Sequence, residues 1–266
     1  MFQFLITLGG TQGLLSEGTV AEIRGKISIL IDESPELLSK FVRLGFQDCV
    51  GGCDGCVDMS NDFNDGLEVP IDALQDIVGE YYNVSSRADI WSMSAWEGAF
   101  RGQANYNFLK DAAFAVCPFL PTYKEFRLDY FGRIDCGDDP KAGPSDRDFP
   151  SSIALDLQGV LDYFEEQFGF DENQTVALMG AHTLGFVNSE NTDFEDGAWP
   201  NNNPYTLTAD YYYLLRRAPW LQEEQLSGDL FAYRVQENGV PVGIPYAPDP
   251  IFGLANNYTA TITSVT

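Results

Sequence analysis

Two short motifs, far apart along the chain, constrain its fold more than any other feature. The first, RLGFQDC, occupies residues 43–49, and the second, GAHTLG, occupies residues 180–185. Apolar residues at helical spacing surround the first motif and predict a helix there. Arg43 and Gln47 are four residues apart, so their side chains point the same way from that helix. His182, in the second motif, is the only histidine among 266 residues, so any imidazole chemistry depends on it.

Helical periodicity dominates the rest of the chain. Apolar residues recur at helical spacing after Val20, and helix-start signals occur at Ser34-Pro35, Pro70, Ser85-Ser86 and Asp171. We interpret the last of these as the start of the helix that carries the second motif. Short β-prone runs flank Glu237-Asn238-Gly239, which predicts a hairpin. We therefore expect a mainly α fold with a small β-hairpin content.

The chain is long enough for a substantial core. With 44% hydrophobic residues in 266, we expect a single domain over residues 1–266 with extended terminal segments 1–10 and 256–266. These apolar or β-branched ends predict strand-like contacts with another subunit or with the folded body, and hence self-association. No apolar run approaches the roughly 18 residues of a membrane span.

Charge and modification signals bear on partners and location. The chain carries 15 basic and 40 acidic residues, a formal charge of −25, which disfavours nucleic acid and anionic membranes because phosphates are repelled. Glycosylation sequons occur at Asn83, Asn173 and Asn257. With the cysteines, they favour a secreted glycoprotein with extracellular proteins as partners. Residues 1–10 are apolar but lack a basic region, so they make a poor signal peptide.

The five cysteines leave several interpretations open. Cys49, Cys53 and Cys56 form a C-x₃-C-x₂-C pattern, followed by Cys117 and Cys136. This spacing matches the iron–sulfur motif of radical enzymes that use S-adenosylmethionine, but the alternating strand–helix units of those enzymes are missing. A zinc site is a second interpretation. Disulfides are favoured, and because five is odd, one thiol is left over or pairs between chains.

The two motifs resemble the distal and proximal halves of the haem site in the plant, fungal and bacterial haem-peroxidase superfamily. The resemblance extends from about Glu22 to Val242 and is closest to ascorbate-peroxidase-like members. Further matches, in order along the chain, are Asn64-Asp-Gly-Leu, Ser86-Arg-Ala-Asp-Ile, Gly132-Arg-Ile-Asp and the region around Trp199. The resemblance implies a two-lobed helical fold.

The distal half of this resemblance departs from the family at one position. The family's pattern places an Arg four residues before a His, and here those positions hold Arg43 and Gln47. In the family the His moves a proton of hydrogen peroxide, the Arg stabilises the developing charge, and an Asn, here Asn64, orients the His. Glutamine has no proton that titrates near neutral pH. The resemblance therefore implies a slow enzyme or none.

The proximal half implies His182 as the axial ligand of haem b, with Phe46 and Trp199 beside the cofactor. The family also places a carboxylate behind this His in a Thr-Asp-x-x-Leu stretch, and residues 239–266 contain none. Residues 186–190 lack the basic side chains that pair with haem propionates. Two interpretations stay open: His182 is a haem ligand, or it is a packed histidine in a pocket filled by apolar side chains.

The resemblance also suggests calcium sites. Asp48, Gly52 and Asp54 align with the family's distal calcium site, which uses carboxylate and carbonyl oxygens. Cys56 stands where a serine is usual, and the loop is one residue shorter. Thr183 fits a second, proximal site. An acidic loop without metal is the alternative.

Three functions follow from these observations. The leading one is a secreted, catalytically impaired peroxidase-like protein, a pseudoenzyme with a structural or binding role. The second is an active haem peroxidase with His182 as axial ligand and Arg43 and Gln47 on the distal side. The third is an acidic calcium-binding matrix protein.

Overall fold

A computed structural model describes much of the chain, in two compact units. The first unit is Ile6–Asp148, and the second combines Met1–Leu5 with Phe149–Thr266. The described residues are 15–113, 130–150, 157–187, 197–198, 203–212, 220–224, 231–237 and 240–241. The terminal segments 1–10 and 256–266, with their predicted strand contacts, lie outside them.

Helices make up most of the described residues and confirm the predicted fold class. They are α1 (Glu17–Glu33), α2 (Leu37–Cys49), α3 (Glu68–Tyr81), α4 (Arg87–Ala113), α5 (Leu157–Phe168) and α6 (Glu172–Met179). Short 3₁₀ turns occur at Asp62–Asn64 and Gly180–Thr183. The strands are β1 (Phe186–Val187), β2 (Gly197–Ala198), β3 (Trp220–Glu224), β4 (Phe231–Glu237) and β5 (Val240–Pro241).

In the first unit, α4 packs against α1, α2 and α3. The interior is apolar, and its largest fully buried side chains include Ile23, Ile27, Phe41, Leu44, Leu74 and Trp91. Gly98 allows the close approach of α4 to α2, because a Cβ added there would lie 2.5 Å from the carbonyl oxygen of Leu38. This contact fixes the position of α2, the helix that carries the first motif.

Two helix-start signals, at Ser85-Ser86 and Asp171, are confirmed, and the other two are shifted, since α3 already begins at Glu68, before Pro70. Asp171 is the N-cap of α6, where its side chain and that of Gln174 form a capping box. Ser34-Pro35 does not start α2, which begins at Leu37. The reason is a tight turn, in which the Leu37 N–H donates to the Ser34 carbonyl across 2.9 Å.

The sheets are small and antiparallel. β4 pairs with β5 through Glu237 and Val240, which confirms the predicted hairpin. β3 adds to the other edge of β4, with Trp220 opposite Val235, and the sequence did not predict this strand. None of the described helices combines the length and the apolar character that a membrane span requires.

Candidate functional site

The distal segment, which we define as residues 43–64, contains the predicted site residues Arg43 and Gln47. Both side chains donate a hydrogen bond to the same backbone carbonyl, that of Phe63. Arg43 donates from Nη2 to the Phe63 oxygen and from Nη1 to the Asp65 oxygen, both across 2.7 Å. Gln47 is buried and donates from Nε2 to the same Phe63 oxygen across 2.9 Å. The two side chains therefore act together on the turn that follows them.

Asn64 lies in this turn and is almost fully buried. Its Nδ2 donates to the Asp58 carbonyl across 2.9 Å. Because carbonyl oxygens only accept, the amide orientations of Asn64 and Gln47 are set by these bonds. The remaining oxygens, Oδ1 of Asn64 and Oε1 of Gln47, are buried acceptors with no hydrogen-bond partner in the described part of the chain. The distal side thus offers acceptors, but no titratable base at the position of Gln47.

Asp48 follows Gln47 and is a buried carboxyl. Its Oδ1 accepts the N–H groups of Gly55 at 2.7 Å and Cys56 at 3.1 Å. Burial raises the pKa of Asp48 to about 7, and the neighbouring Asp54 carboxylate acts in the same direction. The Arg147 guanidinium and the two backbone N–H groups oppose this rise in pKa.

The predicted calcium ligands come together, but around an arginine. Arg147 donates from Nη2 to Asp54 Oδ1 at 2.5 Å and from Nη1 to the Asp48 carbonyl at 2.8 Å. Gly52 lies beside them, since a Cβ added there would be 3.4 Å from Asp54 Oδ2. Oxygens already engaged with a guanidinium do not fit a calcium ion, which requires them as its own ligands.

The four cysteines in the described part of the first unit pair with one another. Disulfides join Cys49 to Cys53 and Cys56 to Cys136, which confirms the preference for disulfides. In the described ranges the one metal-capable cluster is Asp54, Cys56 and Cys136, and its sulfurs belong to a disulfide. These four thiols are therefore unsuitable for the iron–sulfur and zinc interpretations, and Cys117 lies outside the described residues.

Two further motifs of the resemblance interlock at the start of α4. Arg133 donates from Nη1 to Asp89 Oδ1 across 2.9 Å, and both side chains are buried. The carboxylate of Asp135 accepts the N–H groups of Arg87 at 3.1 Å and Ala88 at 2.9 Å. Asp135 thereby caps α4, the helix against which α2 packs.

The proximal segment, which we define as residues 171–187, carries His182. The predicted helix ends at Met179, so His182 lies on the 3₁₀ turn Gly180–Thr183 instead. Its Nδ1 is 3.1 Å from the Met179 carbonyl oxygen. Because that oxygen can only accept, Nδ1 carries the hydrogen and the lone pair lies on Nε2. This tautomer fits an axial ligand of haem iron, with a backbone carbonyl as the partner of the second nitrogen.

Side chains close to His182 donate hydrogen bonds to backbone carbonyls. Thr183, the candidate for a second cation site, is buried and donates from Oγ1 to the Thr208 carbonyl across 2.9 Å. The Tyr212 hydroxyl donates to the Val176 carbonyl, and burial raises the pKa of Tyr212. The calcium role of Thr183 stays a prediction.

The other candidate residues are distributed as follows. Phe46 is half-buried on α2. Asn83, after α3, and Asn173, in the first turn of α6, are exposed. Trp199 and Asn257 lie outside the described residues.

Sequence reasoning missed Arg147 and Arg87. Arg87 donates from Nε to the Gly55 carbonyl across 2.6 Å and supports the loop that follows α2. The only signal is compositional: with 15 basic residues in the chain, an isolated arginine is a candidate partner for a buried carboxylate.

Comparisons with known proteins identify the family of this chain. The model of the family described as “Peroxidase” matches residues 23–217. The chain is 33% identical to “Putative heme-binding peroxidase” of Pyricularia oryzae over 132 residues, which are 46% of this chain and 41% of that protein. It is 27% identical to “Cytochrome c peroxidase, mitochondrial” of Cryptococcus neoformans var. neoformans over 157 residues, 59% of this chain and 34% of that protein.

A protein of Yarrowia lipolytica, also named “Cytochrome c peroxidase, mitochondrial”, is 36% identical over 89 residues, 34% of this chain and 24% of that protein. The chain therefore spans less than half the length of each of these relatives. The family model, by contrast, covers most of the chain, including the distal helix and His182. This chain belongs to the haem peroxidase family.

Proposed function

We propose that this chain is a secreted member of the peroxidase family with impaired turnover of hydrogen peroxide and a structural or binding role. The observation that carries the proposal is Gln47, which stands at the proton-transfer position with its amide bound to the Phe63 carbonyl. An amide neither takes nor gives a proton near neutral pH.

Loss of proton transfer at position 47 should lower the turnover rate strongly. General acid–base catalysis contributes on the order of 10²- to 10⁴-fold to a reaction rate. Haem b, when bound, supplies the redox-active iron, whereas proton transfer at the peroxide must come from the protein. Arg43 can still donate hydrogen bonds, but both of its Nη atoms already donate to the carbonyls of Phe63 and Asp65. Peroxide cleavage should therefore lose its proton shuttle.

An active haem peroxidase is the second candidate, and His182 supports it. The bond between Nδ1 and the Met179 carbonyl selects the tautomer that a haem ligand needs. The names of the relatives, a “Putative heme-binding peroxidase” and cytochrome c peroxidases, point in the same direction.

Secretion is supported by covalent and surface features of the described residues. The disulfides Cys49–Cys53 and Cys56–Cys136 suit an oxidising compartment. The sequon asparagines Asn83 and Asn173 are both exposed, as glycosylation requires. The third candidate, a calcium-binding matrix protein, has the acidic charge of −25 in its favour, but Arg147 engages the predicted calcium ligands.

The test is reconstitution of the full chain with haemin, followed by an absorption spectrum and a guaiacol turnover assay. We expect slow wild-type turnover and an increase of about 10²-fold or more in Gln47→His. The control is Gln158→His, which places the same side chain at an exposed position of α5 and should leave the turnover unchanged. Equal, rapid turnover by wild type and Gln47→His would contradict impairment and favour the active peroxidase.

His182→Ala tests the cofactor separately. A Soret band in the wild type that is lost in His182→Ala supports haem ligation by this residue. A wild-type chain that shows no Soret band after reconstitution contradicts the active peroxidase and favours a binding role without haem.

A further inference from the structure

Three oxygen atoms at the C-terminal end of α2 converge on one buried cation. They are the carbonyl oxygens of Gln47 and Asp48 and the Oδ1 atom of Asp54. Arg147 donates from Nη1 to the two carbonyls, at 3.5 Å and 2.8 Å, and from Nη2 to Asp54 at 2.5 Å. The Arg147 side chain is only 4% exposed, so this is a built internal site and not a surface ion pair.

The loop around this arginine is shaped to receive it. Gly51 has a φ of +86°, and a Cβ added there would lie 3.1 Å from Cγ of Arg147. The loop therefore needs glycine both for its left-handed backbone and for the space that the arginine stem occupies. The Cys53 N–H donates to the Asp48 carbonyl across 3.0 Å, and the Cys49–Cys53 disulfide closes the same turn.

Backbone contacts on the other side bring Arg147 to the site. The Gly143 N–H donates to the Val57 carbonyl across 3.0 Å, and the Met59 N–H donates to the Lys141 carbonyl across 3.2 Å. Gly143 tolerates no side chain here, because an added Cβ would lie 2.7 Å from the Val57 carbonyl carbon. The segment before Arg147 is thus held against the distal loop independently of the guanidinium.

Two backbone carbonyls and a carboxylate are also the kind of oxygen ligands that bind a hard divalent cation such as calcium. We propose that Arg147 is the resident cation of this oxygen cluster and takes the place of a calcium ion. A guanidinium stays protonated at every physiological pH and directs its N–H groups in a fixed plane. The C-terminal end of α2, with Gln47, is therefore held in place without any dependence on calcium supply.

The proposal predicts opposite responses to calcium in the wild type and in an arginine-deletion variant. For the wild type we expect the same thermal midpoint in millimolar CaCl₂ and in EDTA. Arg147→Ala removes the resident cation and leaves the oxygens, so in EDTA the thermal midpoint of this variant should be lower than that of the wild type. Millimolar CaCl₂ should then raise that midpoint by about 5 °C or more, as linkage predicts well above Kd.

The matched control is Arg101→Ala. Arg101 pairs with Asp32 outside the cluster, and its removal gives the same net charge as Arg147→Ala. Non-specific calcium binding to an acidic surface would therefore raise the midpoint of both variants equally, and this outcome would overturn the proposal. A response confined to Arg147→Ala supports it. Low millimolar guanidinium chloride, compared with NaCl, should rescue the same variant by refilling the site.

Measurements on the wild type keep the proposal testable if Arg147→Ala fails to fold. Stoichiometric calcium binding in calorimetry, with a rise in thermal midpoint, would overturn the proposal if it persists in Thr183→Ala, which removes the predicted proximal ligand. Absence of such binding, together with folding of the charge-preserving variant Arg147→Lys, supports it. These readouts use neither haem nor peroxide, so they are independent of the proposed function.

Discussion

The distal segment and the proximal segment are each stabilised by a different kind of interaction. In the distal segment, two disulfides, the buried Asp48 and the ion pair between Arg147 and Asp54 fix the backbone. In the proximal segment, the described bonds around His182 are neutral, between side chains and backbone carbonyls.

This difference separates scaffold from chemistry. The distal segment keeps a strongly braced framework although Gln47 provides no proton transfer. The proximal segment keeps the imidazole, whose tautomer is set by a hydrogen bond to the Met179 carbonyl. The framework of the distal segment is therefore retained although the residue at position 47 cannot perform acid–base catalysis. The following predictions test this contrast, from the largest expected effect to the smallest.

The largest effect should come from the disulfide that closes the long loop. Replacing Cys56 and Cys136 together by alanine opens a link between residues separated by 80 positions. We expect a loss of about 4 kcal/mol in the free energy of unfolding. Hydrogen exchange should increase in peptides from α2 and α4 and stay unchanged in α6. The control is the pair Cys49 and Cys53, whose separation of 4 predicts a smaller loss, and an equal loss would contradict the loop argument.

The second prediction concerns pH and Asp48. Its pKa of about 7 in the folded protein exceeds the ordinary value of 3.8, so the folded state binds more protons between these values. Stability should therefore fall as pH rises from about 4 to 7, by up to about 1.4 kcal/mol per pH unit, and level off above. Urea unfolding at several pH values should show a flatter profile for Asp48→Asn than for the wild type.

Asp58→Asn provides the control for this slope. Hydrogen bonds from the Ser60 hydroxyl and N–H lower the pKa of Asp58, so removing that carboxylate should not flatten the profile over the same window. Identical profiles for the wild type and Asp48→Asn would show that burial of Asp48 does not control the pH dependence of the distal segment.

The third prediction tests the neutral bonds of the proximal segment. Tyr212→Phe leaves the Val176 carbonyl without the hydroxyl that donates to it. We expect a loss of about 1 to 2 kcal/mol, with faster hydrogen exchange in α6 and no change in α2. Tyr82→Phe, at a position 76% exposed, should have no effect. Protection lost equally in α2 and α6 would contradict the separation of the two segments.

The smallest effect is expected at the N-cap of α6. Asp171→Ala removes the acceptor for the Gln174 N–H, a bond of 2.8 Å, and should lower stability by about 1 kcal/mol. Asp171→Asn keeps a capping oxygen and should retain most of the wild-type stability. Circular dichroism during thermal unfolding measures both variants, and equal losses would show that charge, and not capping, is decisive.

Local patterns predicted local structure well. The helix-start signal at Asp171 and the hairpin at Glu237 to Val240 are confirmed because their interactions lie within a few residues. The family was predictable from ordered motifs, since their residue types and order are properties of the sequence itself. The preference for disulfides is also confirmed, but the pairing of Cys56 with Cys136 could not be read from spacing.

Most features of the site that the sequence did not predict depend on contacts between distant parts of the chain. Arg147 and Asp54 are separated by 93 residues, and no periodicity relates them. The calcium prediction placed Asp48 and Asp54 together, but the arginine that engages both of them only appears in the folded chain. One exception is local: the Met179 carbonyl, three residues before His182, becomes its partner because α6 ends in a 3₁₀ turn.

The cap of α4 has a consequence for synthesis on the ribosome. The first N–H groups of this helix, at Arg87 and Ala88, are bound by Asp135, which the ribosome adds 47 residues after Ala88. Until Asp135 has left the exit tunnel, the nascent helix lacks this cap and α2 lacks its finished packing surface. We expect the first unit to complete its fold late in translation, when residues 130–148 emerge as its closing segment.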